Sequence, residues 1–340
     1  MAALSALKGV SSTMYSNIFI ELPFPKGDLT GQTIIVSGSN QGLGYEASRH
    51  LLSLGVDRLI MAVRNIDKGE VARLELLKAT GRDHNTIEVW ELDMDRYSSV
   101  RSFAARAGTL PRLDAVLANA GLATNTFSLA EDNERTITVN VVSTFLLVSL
   151  LVPKLRESAS MFGIVPRVSI VNSALHYIAP LKEIDSDDGH GIFARLNNKE
   201  TADMAMRYPL SKLLVLFGVR AFAEQLENGK EQLVIINSPN PSWCKSQLMR
   251  ESSSPGLRFG ERMLARSTEE GSRALVHAIL SGKESSGQYL DNCQVKRPSC
   301  TVTNAKGARI QKAFFNELLT KLEEVSPGIG VEISSKSSLR

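Results

Sequence analysis

The run Ser37-Gly38-Ser39-Asn40-Gln41-Gly42-Leu43-Gly44 decides the reading of this chain, because it joins a short β-branched stretch, Thr33 to Ser37, to a helix-length stretch, Leu43 to Leu54. Glycine permits positive φ and lets a ligand approach the backbone where a Cβ would stand. The free N–H groups and dipole of the helix that follows favour an anion such as a pyrophosphate. An ordinary tight strand-to-helix turn is the plain alternative, since a lone glycine cluster is weak evidence. Placement between a strand and a helix favours the cofactor reading, with Gly38, Ser39, Gln41, Gly42, Leu43 and Gly44 as the cradle.

Outward from this turn, β-branched runs alternate with amphipathic stretches, the pattern of repeated βαβ units. The predicted strands are Thr33 to Ser37, Arg58 to Val63, Thr86 to Leu92, Leu113 to Ala118, Arg167 to Asn172 and Leu233 to Asn237, with Gly287 to Leu290 as a seventh. Predicted helices are Leu43 to Leu54, Asp67 to Ala79, Ser98 to Ala107, Asp132 to Leu155, Ala205 to Glu227, Thr268 to Leu280 and Ala305 to Glu324. Runs such as TIIVS, LIMAV and DAVLA have continuous apolar centres, as strands buried on both faces must. The expected fold is α/β: one doubly wound domain with a mainly parallel seven-stranded sheet. Residues 1–29 form a leader, 30–292 the domain, 293–324 a helical extension and 325–340 a Ser- and Gly-rich mobile tail.

A length of 340 residues gives ample material for a core, and a net charge of +3 without a dense Lys/Arg stripe points away from nucleic acid. Three cysteines, Cys244, Cys293 and Cys300, without a CxxC pair imply a reducing, cytoplasmic setting. Met1 to Pro25 lacks the apolar core of a signal peptide. The longest apolar run, Val139 to Val152, is interrupted by Asn140 and falls short of the roughly 20 residues of a membrane span, so it reads as a buried or subunit-contact helix. The five histidines show no metal-ligand spacing and are read as structural or exposed, although His176 follows Ser173 closely enough to face a substrate. No metal is expected.

Tyr208 and Lys212 are four residues apart, so a helix presents both on one face. A solvated surface pair is the plain alternative, but Ser173 ends the fifth predicted strand and Asn140 lies in the preceding helix. With the Gly-x-x-x-Gly-x-Gly spacing, Leu92-Asp93-Met94 closing the third strand and Asn119-Ala120-Gly121 closing the fourth, the chain resembles the short-chain dehydrogenase/reductase family over about residues 30 to 290. The resemblance implies a Rossmann-type fold and a catalytic tetrad of Ser173, Tyr208, Lys212 and Asn140. It implies that Asp93 bonds adenine, that Asn119 packs beside the cofactor, that Lys212 also holds the nicotinamide ribose and that Asn140 holds a proton-relaying water. Ser242 stands where the family typically has Gly, and Ser246 stands for the family's Thr near the nicotinamide amide. The leader Pro23-Phe24-Pro25-Lys26, the Arg64-Asn65 strand end and the stretch Ile192 to Arg207 look like dehydrogenases of fungal secondary-metabolite pathways, and more distantly like retinol-type reductases.

The residue after the second strand discriminates cofactors: an acid binds the adenosine ribose of NAD, and a base accommodates the 2′-phosphate of NADP. Arg64 holds that position and favours NADP(H), with Asp67 as the nearby acidic alternative. Reduction of a ketone places negative charge on its oxygen, so the site needs a hydrogen-bond donor, Ser173, and a proton source, Tyr208. A three-unit fall in a tyrosine pKa needs roughly 4 kcal/mol, which one ammonium, Lys212, at about 4 Å supplies at an effective dielectric of about 20.

The expected function is an NADP(H)-dependent oxidoreductase that interconverts a ketone and a secondary alcohol on a lipophilic small molecule, a biosynthetic intermediate of a natural product. The alternatives are a non-redox cyclase or isomerase on the same fold and a cofactor-sensing binding protein. The resemblance suggests a homodimer or homotetramer through Asp132 to Leu155 and Ala205 to Glu227, a monomer remaining open. The 34 residues between Ser173 and Tyr208 far exceed the roughly 2 to 6 typical of α/β connections, so their apolar ends, with Phe193 and Met204, are expected to wall the substrate.

Overall fold

The computed structural model describes residues 2–186, 188–228, 233–245 and 264–330. Its strands are β1 (Thr33–Ser37), β2 (Arg58–Val63), β3 (Ile87–Glu91), β4 (Ala115–Ala118), β5 (Leu129–Ala130), β6 (Asn133–Glu134), β7 (Arg167–Ile170), β8 (Ile235–Asn240), β9 (Tyr289–Asp291) and β10 (Gln294–Lys296). Eight of them form one sheet in the order β10-β9-β8-β7-β4-β1-β2-β3, and β5 and β6 make a separate two-stranded ribbon. Chain order reverses between β1 and β4, and that switch opens the crevice where open α/β sheets bind ligands.

Alternate side chains of β1 enter two separate cores. Ile35 joins the cluster packed by helices Tyr97–Gly108, Ser143–Phe162 and Arg207–Asn228, while Ile34 and Val36 join the one under Gly42–Ser53, Ile66–Thr80 and Thr268–Leu280. The sheet is thus apolar on both faces, as the continuous runs predict. The described helix from Arg135 to Phe162 is long and apolar enough to cross a membrane, but 89% of its most apolar window is buried, so here it is a core helix.

The sheet has eight strands, not seven. β10 pairs antiparallel with β9 through Asn292 and Cys293, whose φ values are 50° and 59°. Such a tight turn normally announces itself by Asn-Gly, and a cysteine in the second place conceals it. β8 runs on to Asn240 through Pro239, whose carbonyl still accepts the Asn172 N–H at 2.8 Å.

The helix expected over Asp132 to Leu155 begins later and is interrupted. Arg135–Ile137 leads into a π turn, Thr138–Val142, before Ser143–Phe162 continues. Further along, the far end of the Phe145 ring meets the helix Arg207–Asn228, where a Cβ on Gly218 would stand 2.3 Å from it. The outer side of Arg207–Asn228 is covered by Ala305–Val325 through Phe222 and Phe315, whose ring centroids are 6.5 Å apart, and through Arg220 donating to Gln311. The leader also contains a helix, Ala2–Phe19, which periodicity did not suggest.

Candidate active site

The glycine turn is built by close approach. Gly38 and Gly42 have φ of 65° and 61°, and a Cβ on Gly44 would stand 2.4 Å from the Gly38 carbonyl oxygen. Asn119 braces this turn from β4: its amide donates to the Ser37 and Gly38 carbonyls at 2.9 and 3.2 Å, while the Ser37 hydroxyl accepts the Asn119 and Ala120 N–H groups. Gln41 precedes the helix Gly42–Ser53 without a side-chain cap, and the first turn carries no acid. Space is open where a Gly42 side chain would be. An uncapped helix start with room above it fits a pyrophosphate. Leu43 packs on the core, and Ser39 is fully buried with an unpartnered hydroxyl, so Ser39 borders the cradle from beneath.

Arg64 follows β2 with its side chain 66% exposed, and among the described residues it pairs with Asp95 alone, at 3.3 Å. Asp95 is engaged more closely by Arg135, at 2.8 and 2.7 Å, and that pairing holds its carboxyl below the ordinary range. The Arg64 guanidinium therefore has little holding it and can turn to an anion. Asp93 is less free: its carboxylate accepts the Asp95 N–H and the Arg96 guanidinium, at 3.1 and 3.2 Å. Asp67 is exposed in the first turn of helix Ile66–Thr80, a favourable place for an acid beside the helix dipole.

Ser173, Tyr208, Lys212 and Asn140 come together at the ends of β4 and β7. Ser173 caps the short turn Ala174–Ile178 by accepting the Leu175 N–H, and its side chain lies beside the Tyr208 hydroxyl, near enough to favour the phenolate. The Lys212 Nζ donates to the Val171 carbonyl at 2.7 Å and stands 5.5 Å from the Tyr208 ring centre. Asn140 sits in the π turn, where backbone irregularity often accompanies a site. Its amide nitrogen donates to the Leu122 carbonyl and the Ser211 hydroxyl, both at 2.9 Å, and its oxygen accepts the Leu122 N–H. The side chain ties the β4 exit to the helix Arg207–Asn228.

Burial governs the charges here. It pushes the Tyr208 hydroxyl above its ordinary value, the Ser173 bond opposing, and lowers Lys212 to about 8. The expected fall at Tyr208 is therefore absent: Lys212 points at a backbone carbonyl, and desolvation disfavours the phenolate. Near neutral pH the pair is a protonated phenol beside an ammonium, which suits proton donation.

Several contributors escaped sequence reading. Arg207, beside Tyr208, is completely buried; it donates to Glu183 at 2.8 Å and to the Leu196 carbonyl at 3.1 Å, and lies 3.5 Å from Glu134. It fastens the long connection and the start of the Asn140 helix to the helix bearing Tyr208. A lone arginine beside a motif gives no sequence signal of this. His176 does not face the site: Nδ1 lies 2.8 Å from the Ser173 carbonyl and Nε2 accepts the Ser299 N–H, so the ring is buried and its pKa falls to about 4. Phe193 is no substrate wall either, being buried and stacked on Phe314, whereas Met204 stays half-buried. Ser242 adopts φ 68°, the region that the family's glycine enters freely, and Cys244 is buried with burial pushing its thiol up to about 12. Ser246 and residues 331–340 of the tail lie outside the described residues.

Comparison with known proteins agrees with this geometry. Residues 32–176 match the short chain dehydrogenase family. The chain is 44% identical over 319 residues to the short chain dehydrogenase/reductase dmxR8 of Cryptosporiopsis sp. (strain 8999), covering 93% of this chain and 98% of that one. It is 41% identical over 342 residues to the short-chain dehydrogenase anuD of Penicillium roqueforti, covering 98% and 87%. Among solved structures it resembles an uncharacterised protein of Mycobacterium paratuberculosis, with TM-score 0.64 at 23% identity over 86% of this chain and 95% of that one. It also resembles a short chain dehydrogenase of Escherichia coli CFT073 complexed with NADPH, with TM-score 0.57 at 21% identity over 79% and 99%.

Proposed function

The chain belongs to the short-chain dehydrogenase/reductase family, and on that footing we propose that it is an NADP(H)-dependent oxidoreductase of the cytoplasm interconverting a ketone and a secondary alcohol on a lipophilic intermediate of a natural-product pathway. The neighbouring Tyr208 and Ser173 hydroxyls, with Lys212 on the same helix face as Tyr208, carry this reading. Similarity to two fungal enzymes, and the NADPH in one structural neighbour, add support for the pathway and the cofactor.

The residues present fit the dinucleotide. Gly38, Gly42 and Gly44 with the uncapped helix start would hold the pyrophosphate, Arg64 the 2′-phosphate, and Lys212 the nicotinamide ribose. Bound there, the cofactor supplies or accepts hydride. Tyr208, kept protonated by burial, gives its proton to the carbonyl oxygen, and Ser173 donates a hydrogen bond to the same oxygen. The Lys212 ammonium stabilises the charge left on the phenolate, while Asn140 and Arg207 fix the helix that carries both groups.

The test is turnover of a ketone panel with NADPH and NADH, together with metabolite profiling after gene deletion. Stoichiometric NADPH consumption and an accumulating carbonyl or alcohol are expected. Product formed without cofactor consumption would replace this reading with a non-redox one.

A further inference from the structure

We propose that the N-terminal helix Ala2–Phe19 rests on a lipid bilayer surface through Met14, Tyr15, Ile18 and Phe19, making the enzyme a peripheral membrane protein. From Gly9 onward, where its side chains are described, the helix is inside out. Its inward stripe, Gly9, Thr13, Ser16 and Asn17, follows helical spacing and consists of small and polar residues. Its outward face over the last turns carries four large apolar side chains that are 46%, 61%, 51% and 68% exposed. Soluble helices bury the opposite face.

The inward contacts explain why the helix does not roll over. A Cβ on Gly9 would stand 2.5 Å from the Tyr177 ring, so the two touch backbone to ring. The Asn17 amide donates to the Trp243 and Leu264 carbonyls at 2.8 and 3.0 Å, and its oxygen accepts the Ser242 hydroxyl. Arg266, almost wholly buried, donates to the Ser16 and Ile20 carbonyls. Turning the apolar face inward would strand these buried polar groups, which costs more than exposed apolar surface does.

The occupant follows from area and charge. Four side chains of at most about 150 to 250 Å² each, roughly half exposed, present on the order of 400 Å², well short of the ~800 Å² per partner of a stable protein interface. The helix contains no acid and one charge, Lys8, so it offers a protein partner a single ion pair at most. A bilayer interface requires neither extended area nor register, and it favours the aromatic pair Tyr15 and Phe19, whose ring centres are 5.0 Å apart. The helix also lies against Tyr177, in the turn that follows Ser173, which puts the lipid on the side of the reaction centre. Delivery of a lipophilic substrate from that lipid rests on the proposed function; the membrane contact does not.

Flotation of the full chain with phosphatidylcholine/phosphatidylglycerol vesicles tests this, comparing wild type with a Tyr15→Ser, Phe19→Ser double variant. Both side chains are outside the packed structure, so melting temperature and NADPH-dependent turnover of a water-soluble ketone should be unchanged. Vesicle partitioning should fall at least about tenfold. Wild type remaining in the aqueous phase, or equal flotation of both proteins, overturns the proposal. So does a wild-type dimer that the double variant converts to monomer, because a second copy then covers the face. Flotation is read without any reaction, so its failure is separate from failure of the redox assignment.

Discussion

Lys212 should give the enzyme an alkaline limit that can be read twice, in rate and in stability. Its pKa is lowered by burial from 10.5 to about 8. The ammonium fraction therefore falls from about 0.9 near pH 7 to about 0.1 near pH 9, and kcat/KM for NADPH, which reports the free enzyme, should drop about tenfold over that interval. Lys212→Arg keeps its charge at every accessible pH and should abolish the break, whatever its absolute rate. Folding gives the second reading. The folded pKa lies below the unfolded one, so between about pH 8 and 10.5 the unfolded chain holds a proton that the folded chain lacks, and stability rises with pH. Relative to Lys212→Met, in which that proton is absent from both states, wild type should gain about 3 kcal/mol across this window, at about 1.36 kcal/mol per unit. Steady-state NADPH oxidation and urea unfolding over the same buffers measure both. A flat wild-type rate profile, or an unchanged break in Lys212→Arg, would refute the assignment of Lys212 as the essential cation.

Tyr208→Phe removes only the hydroxyl beside Ser173 and should lower turnover at least about 10²-fold while NADPH titration by fluorescence shows unchanged affinity. Arg64→Ala should weaken NADPH about 10- to 150-fold and leave NADH nearly untouched, the value of a charge-assisted contact to the 2′-phosphate; equal losses would assign the phosphate to another residue. Arg207→Met leaves buried Glu134 and Glu183 without their cation and should cost about 3 to 5 kcal/mol in denaturant unfolding, a loss smaller than about 1 kcal/mol contradicting the buried-pair reading.

What sequence revealed here was local. The glycine turn, the seven parallel strands and the Tyr208 and Lys212 pair depend on residues close in the chain, with a period of two or four or a backbone requirement only glycine meets. The missed features depend on partners far away. Arg207 meets Glu134 and Glu183 only after folding, and Asn140 spends its amide on Leu122 and Ser211. The π turn at Thr138–Val142 leaves no compositional trace, and the β9–β10 turn hides behind Cys293. Ala2–Phe19 went unassigned for a different reason: its polar stripe is the buried one, so the usual amphipathic reading has its faces reversed.

The contact of Phe145 with Gly218 also constrains how this chain can drift in sequence. Each position alone is closed to change in one direction: a methyl on Gly218 collides with the ring, and loss of the ring leaves a void beside a bare backbone. Changed together, a smaller residue at 145 and an alanine at 218 restore the filled volume, so the two costs should cancel where either alone is severe. Because this contact joins the helix that follows Asn140 to the helix carrying Tyr208, the pair acts as a coupled gate on mutation. Descendants of this enzyme reach a new spacing of the two helices only by a double step.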